Sequence, residues 1–185
     1  MFKHFLTSVN ESNAFILACD ETRDAILIDA GAFEPAITAF VEAKHLKLKS
    51  VFITHDHYDH TGGLREIVDR YDAQVYAGSA NPGGCRADTV GHGDAIRVGG
   101  LEGRVLATPG HTPDALSLTF PGMVFTGDAL FAGSVGGTAS PALARQQSEA
   151  IKAHIFSLPA DTEIHTGHGP SSTVAIESRY NPFFV

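Results

Sequence analysis

Apolar and polar positions fall along this chain in short blocks whose period changes, and the changes mark its elements. Ala14 to Cys19 is apolar, Asp20 to Asp24 is a charged turn, and Ala25 to Ile28 is a second apolar run closed by Asp29-Ala30-Gly31. Runs of this length between turn residues predict strands, so the first thirty residues read as strands joined by turns. Phe33, Ile37, Phe40 and Val41 then share one helical face, with Lys44 towards the end, which predicts a helix. Leu48 to Thr54 predicts a strand, Leu64, Ile67, Val68 and Tyr71 a second helix, and Gln74 to Ala77 a short strand. Strand alternating with helix predicts a layered α/β structure.

Between Gly78 and Gly100 the period is lost among Gly, Asn, Pro and charged residues, and the segment reads as a loop with room for one helical turn. Strands are predicted again at Arg104 to Ala107, Ala115 to Phe120 and Met123 to Thr126, the last two joined as a hairpin by Pro121-Gly122. After the Gly- and Ser-rich stretch from Phe131 to Pro141, a helix from about Leu143 to Ser157 would turn Ile151, Ile155 and Leu158 inward. Glu163 to Thr166 predicts a strand and Thr173 to Tyr180 a last helix. No repeat of short period interrupts this order, and 185 residues suit one domain, 1–185, with a real core.

Composition narrows the partners. Thirteen basic against 21 acidic residues give a formal charge of −8 with no basic block, which argues against nucleic acid. Cys19 and Cys85 are too few and too far apart for a disulfide framework or a zinc ribbon. No run is long enough for a bilayer, and Met1 to Asn10 lacks the apolar segment of a signal peptide, so a cytoplasmic protein without membrane contact is expected.

The chemistry is concentrated in Thr54-His55-Asp56-His57-Tyr58-Asp59-His60-Thr61-Gly62-Gly63, between a predicted strand and a predicted helix. Three imidazoles and two carboxylates in six residues make a poor core and an unusual surface, but they are the ligand set of zinc, iron or manganese. In extended chain, side chains two apart share a side, so His55, His57 and Asp59 are expected to converge, with His60 swinging to a second point. Three further polar positions follow apolar strands in Gly- or Pro-bearing loops: His111 in Thr108-Pro109-Gly110-His111, Asp128 in Thr126-Gly127-Asp128, and His168 in Gly167-His168-Gly169-Pro170. If those strand ends lie at one edge, four loops form one site. His4, His45 and His154 read as exposed or edge positions, His92 as part of the loop without a period, and His165 as facing away from His168. Asp29 is placed to support a ligand histidine through its second nitrogen, and Tyr58 reads as packing.

The segments THDHYDHTGG (54–63), TPGHTP (108–113), FTGDALFAG (125–133), TGHGP (166–170) and the closing ESRYNPF (177–183) resemble the metallo-β-lactamase superfamily, and within it the glyoxalase II-like, or hydroxyacylglutathione hydrolase-like, branch. The resemblance implies an αββα four-layer fold with a metal site at one edge of two central sheets. It implies two divalent ions, zinc first with iron or manganese as alternatives: His55, His57 and His111 on one, Asp59, His60 and His168 on the other, Asp128 bridging. Asp59 and Asp128 would be the catalytic carboxylates of a binuclear hydrolase that attacks a small thioester, such as a 2-hydroxyacyl-glutathione, with a metal-bridging hydroxide. A thiolate leaves without a proton, which suits a site with no obvious general acid. Relatives often read Gly-Arg-Thr/Ser-Asp where this chain has Gly136-Gly137-Thr138-Ala139, and Asp114 stands where Gly is common. A mononuclear iron persulfide dioxygenase and a lactone hydrolase of the same superfamily are the alternative activities.

Overall fold

Two mixed sheets lie face to face in the computed structural model, which describes residues 1–185. The first runs in strand order through β1 (Phe2–Leu6), β2 (Asn13–Ala18), β3 (Asp24–Ile28), β4 (Lys47–Phe52), β5 (Gln74–Ala77) and β6 (Asp88–Thr89). Three helices accompany it: α1 (Pro35–Ala43), the single turn α2 (Tyr58–Thr61) and α3 (Leu64–Tyr71). The second sheet has the order β14-β13-β10-β9-β8-β7. Its members are β7 (Ala95–Val98), β8 (Leu101–Ala107), β9 (Leu116–Phe120), β10 (Met123–Gly127), β13 (Glu163–Thr166) and β14 (Ser172–Thr173). A two-stranded ribbon of β11 (Leu130–Phe131) and β12 (Ser134–Val135) precedes α4 (Pro141–Ala150), and α5 (Val174–Tyr180) comes last.

The central strands are covered on both faces, which is why they read as continuous apolar runs. In β2, Ile16 points outward into a cluster with Ile37 and Val41 of α1 and Leu64 and Ile67 of α3. Its neighbours Phe15 and Leu17 point inward and meet Leu116, Leu118 and Phe125 of the second sheet. The far face of that sheet, through Leu106, Val124 and Ile164, packs on Ile151, Ile155 and Val174. The layers are therefore helix, sheet, sheet, helix. Phe52, wholly buried between the sheets, gives the scale: truncating such a ring to alanine costs about 3–5 kcal/mol.

Two expectations need correction. Gly78 to Gly100 is not all loop, because β6 and β7 lie within it, with Ile96 and Val98 buried on alternate positions. The helix expected to Ser157 ends as an α-helix at Ala150 and continues as a π turn over Ile151–Ile155. Phe156 N–H reaches back to the Ile151 carbonyl there, and the wider turn brings Ile151 and Ile155 onto the sheet. The Pro121-Gly122 hairpin forms as expected, with Gly122 at φ 81°. No helix is long and apolar enough to cross a membrane.

Candidate metal centre

Strand β3 runs parallel to β4, and β10 parallel to β13, so the loops after them emerge at one edge. The structure brings all seven predicted residues together there. His55 Nε2 is 3.0 Å from His57 Nδ1, which lies 3.1 Å from His111 Nε2. Asp59, His60 and His168 form a second group, and the donor atoms within each group lie within 4.8 Å of one another. Asp128 stands between them: Oδ1 is 3.3 Å from His60 Nε2, while Oδ2 is 3.6 Å from His111 Nε2 and 3.7 Å from His168 Nε2. Convergence of Asp59 with His55 and His57 by strand alternation does not occur. The chain turns helical at Tyr58, which ends the period of two at His57 and hands Asp59 to His168, 3.3 Å from its Oδ2.

The hydrogen bonds behind the rings decide what their inner faces offer. A carbonyl only accepts, so His111 Nδ1 donates to Gly137 O (2.7 Å), leaving Nε2 of the neutral ring a bare lone pair. Asp29 sets two more. Its Oδ2 accepts from His60 Nδ1 at 2.8 Å and from Thr54 Oγ1 at 2.8 Å, and Thr54 Oγ1 can then accept from His55 Nδ1 at 3.1 Å. Lone pairs on His55 and His111 thus both face His57 Nδ1, which carries at most one proton. The lone pair of fully buried His60 faces a carboxylate oxygen, and neither His60 Nε2 nor Asp128 Oδ1 has a hydrogen-bond partner. Acceptors held against acceptors require a cation between them, and imidazole with carboxylate is a donor set that fits zinc, iron or manganese. Gly167 permits the approach, since a Cβ there would collide with Asp128 Oδ1.

Without an ion, the same demand is met by a proton. Burial works against a charged His60, but the Asp29 and Asp128 carboxylates outweigh it and raise its pKa to about 10. His55 is pushed down to about 3, first by burial and then by His60 beside it. Burial alone would raise the Asp128 carboxyl; His60, His55 and His168 hold it below the usual range. Asp59 is likewise held low against burial, by the Asn10 amide and then by His60 and His168.

A four-layer fold with this cluster at its sheet edge agrees with comparison to known proteins. The family model of the Metallo-beta-lactamase superfamily matches residues 8–83 and 86–176. The chain belongs to the metallo-β-lactamase superfamily. It is 30% identical over 166 residues to the hydroxyacylglutathione hydrolase of Idiomarina loihiensis, covering 89% of this chain and 64% of that one. The chain therefore spans just under two thirds of that relative's length. ETHE1 from Myxococcus xanthus superposes with a TM-score of 0.85 at 33% identity, over 98% of this chain and 83% of that one. TTHA1623, solved in a di-iron-bound form, superposes with a TM-score of 0.83 at 28% identity, over 98% and 99%.

Within this metallo-β-lactamase fold the remaining histidines lie outside the cluster. His165 is buried between the sheets against Phe2, Phe15 and Phe125, with Nδ1 on Ser171 Oγ at 3.0 Å. His92 and His154 lie against each other, ring centroids 4.2 Å apart, and His92 Nδ1 accepts from Ala107 N–H at 3.5 Å. His4 is exposed and bonds Asn13, and His45 is exposed. Tyr58 is 73% exposed, so it does not pack as expected, because the turn at α2 points it outward. Several residues at the site were given no role by the sequence. Thr54 relays Asp29 to His55, Asp114 Oδ2 accepts Asp56 N–H at 3.1 Å and ties two site loops, and Asn10 and Ser12 reach Asp59. Thr54 stood in the histidine motif and Asp114 at a position where Gly is common; Asn10 and Ser12 were marked only by their polarity beside an apolar strand.

Proposed function

We propose that this chain is a binuclear metallohydrolase acting on a small thioester, with a 2-hydroxyacyl-glutathione as the first candidate. The reading rests above all on one observation: two three-residue donor groups flank Asp128, and neither buried His60 Nε2 nor Asp128 Oδ1 has a hydrogen-bond partner. His55, His57 and His111 would hold one ion, and Asp59, His60 and His168 the other, with Asp128 shared. Zinc is the first choice, and iron and manganese suit the same donors. Two such ions, when bound, bring the pKa of water towards neutrality and polarise a carbonyl. Asp59 would orient the attacking water and take up its proton on a carboxylate oxygen. His60, gripped by Asp29, is held on the centre and away from solvent. A thiolate leaving group needs no general acid.

A cavity of about 430 Å³ lies on the Gly137 side of His111, lined by none of the seven donors, and has room for the thiol portion of a small substrate. Its walls include Val135, Gly137, Arg145, Ser148, Phe183 and Phe184, and the Gly137 carbonyl is the one that His111 grips. Exposed Arg145 lines the cavity and is in no ion pair, so it is available to an anionic group of the substrate. The likeness to enzymes named hydroxyacylglutathione hydrolase points the same way. Release of thiol from S-lactoylglutathione by metal-loaded protein tests the reading, and no release at any metal content overturns it. The similarity to ETHE1 is compatible with a second reading, a mononuclear iron persulfide dioxygenase. Oxygen uptake with glutathione persulfide by iron-loaded protein, without thioester cleavage, would decide for it.

A further inference from the structure

The turn between β1 and β2 contributes none of the seven donors, yet it touches both halves of the second group. Asn10 and Glu11 both take the left-handed conformation, at φ 52°, and fold residues 7–13 back over Asp59. Asn10 Nδ2 donates to Asp59 Oδ2 at 3.2 Å, and Ser12 Oγ donates to the Asp59 carbonyl at 2.6 Å. Gly31 lets Ser12 in, since a Cβ there would strike both Asp59 O and Ser12 Oγ. On its other side the turn holds the His168 loop. Ser12 forms a β-bridge with His168, Asn13 N–H donates to Gly167 O at 2.8 Å, and Asn13 Nδ2 donates to the carbonyls of Thr166 and Gly169, each at 2.9 Å. Thr7, Ser12 and Asn13 are all buried.

Asp59 follows the first sheet and His168 the second, so their separation depends on how two loops from different sheets are tied. The first group has no such contact with this turn: His55 rests on Thr54 and His111 on Gly137. We propose that the Thr7–Asn13 turn is a positioning element for the second cation, with Asn10 setting the Asp59 carboxylate and Ser12 and Asn13 setting its distance from His168. The inference rests on the two-ion reading above. It concerns a residue type and position that the donor set itself does not include, and it predicts that the two ions respond unequally to a change that touches neither.

Asn10→Gly is the decisive variant, because glycine adopts the left-handed backbone without penalty and removes only the amide. Metal-free wild type and N10G would be titrated with Zn²⁺ against a competing chelator, with metal per chain read by elemental analysis. Removing an outer partner of a ligand typically costs about 10–100-fold in metal affinity. The expected result is one of the two binding steps weakened about tenfold or more and the other unchanged, with the metal-free chain still unfolding in one cooperative transition. Equal weakening of both steps, or an isotherm identical to wild type, overturns the proposal while leaving the two-ion reading intact. A wild-type chain that binds a single ion overturns both.

Discussion

The two donor groups of the centre are built from the same kinds of side chain and differ in how they carry charge. The first is three imidazoles, with His57 exposed and no carboxylate among them. The second pairs a carboxylate with a ring of zero exposure that is wedged between two more carboxylates. In the first, the rings rest on uncharged partners: a neighbouring threonine and a backbone carbonyl 26 residues away. In the second it comes from a carboxylate 31 residues away and a turn 49 residues away. Asp29 and Asp128 flank buried His60, so near neutral pH the second group holds either a proton or a metal there, a demand that no carboxylate imposes within the first group. The contrast shows that an outer shell of acceptors, and not the count of histidines, separates a cation site from the ring pair of His92 and His154.

The largest way to break the contrast is to remove the residue the groups share. Asp128→Ala should lower turnover by more than the roughly 100-fold ceiling typical of outer partners, and elemental analysis should show metal lost from both groups. Unchanged turnover would remove the two-ion mechanism. Asp29→Asn comes next. Asp29 accepts from Thr54 N, Thr54 Oγ1 and His60 Nδ1, so an amide there must turn a donor towards at least one donor. Because Asp29 reaches His60 directly and His55 through Thr54, affinity should fall about 10–100-fold for both ions. Loss confined to the second ion would show that the Thr54 relay is idle.

The central strands were legible because both sheet faces are buried, so β2, β3 and β4 appear as apolar runs that no loop would tolerate. Ile96 and Val98 alternate correctly, but four residues amid glycine are too few for a period to emerge. The donors were legible because their chemistry has no good structural alternative, and the grouping came from the family resemblance. Alternation alone put Asp59 with His55, since nothing local announces that the backbone turns helical at Tyr58. Asn10, Ser12 and Asn13 read as an ordinary polar turn. Their meaning lies in contacts 47 to 156 residues away, and a single sequence holds no record of those.

Proton balance sharpens the comparison further. His60 is raised from 6.5 to about 10 in the metal-free fold, so its stabilising contribution is complete below about pH 6.5 and is lost as pH rises through about 10. The melting temperature of metal-free protein should therefore fall from about pH 7 to 10, and metal-loaded protein should lack this fall because the ion replaces the proton on Nε2. For the same reason, uptake of the second ion near neutral pH should release more protons than uptake of the first, since His55, at about 3, has none to give. Calorimetric titration in two buffers of different ionisation enthalpy measures the difference. Equal proton release by the two ions would mean that the groups are not distinguished by charge.

The smallest expected effect tests whether the cavity beside His111 belongs to the centre. Arg145 is exposed, and an exposed charge pair is worth about 0.2–1 kcal/mol, which corresponds to at most about a fivefold change in binding. Arg145→Ala should therefore raise KM for a thioester with free carboxylates about two- to fivefold and leave kcat unchanged, because the guanidinium would contact the thiol portion and not the carbonyl under attack. A thioester of an uncharged thiol should be cleaved with the same KM by wild type and variant. Salt should narrow the gap for the anionic substrate, since exposed pairs are screened. A fall in kcat for both substrates would instead place the effect at His111, through the Gly137 carbonyl, and the cavity would then be part of the scaffold that holds the first group rather than a place for the substrate.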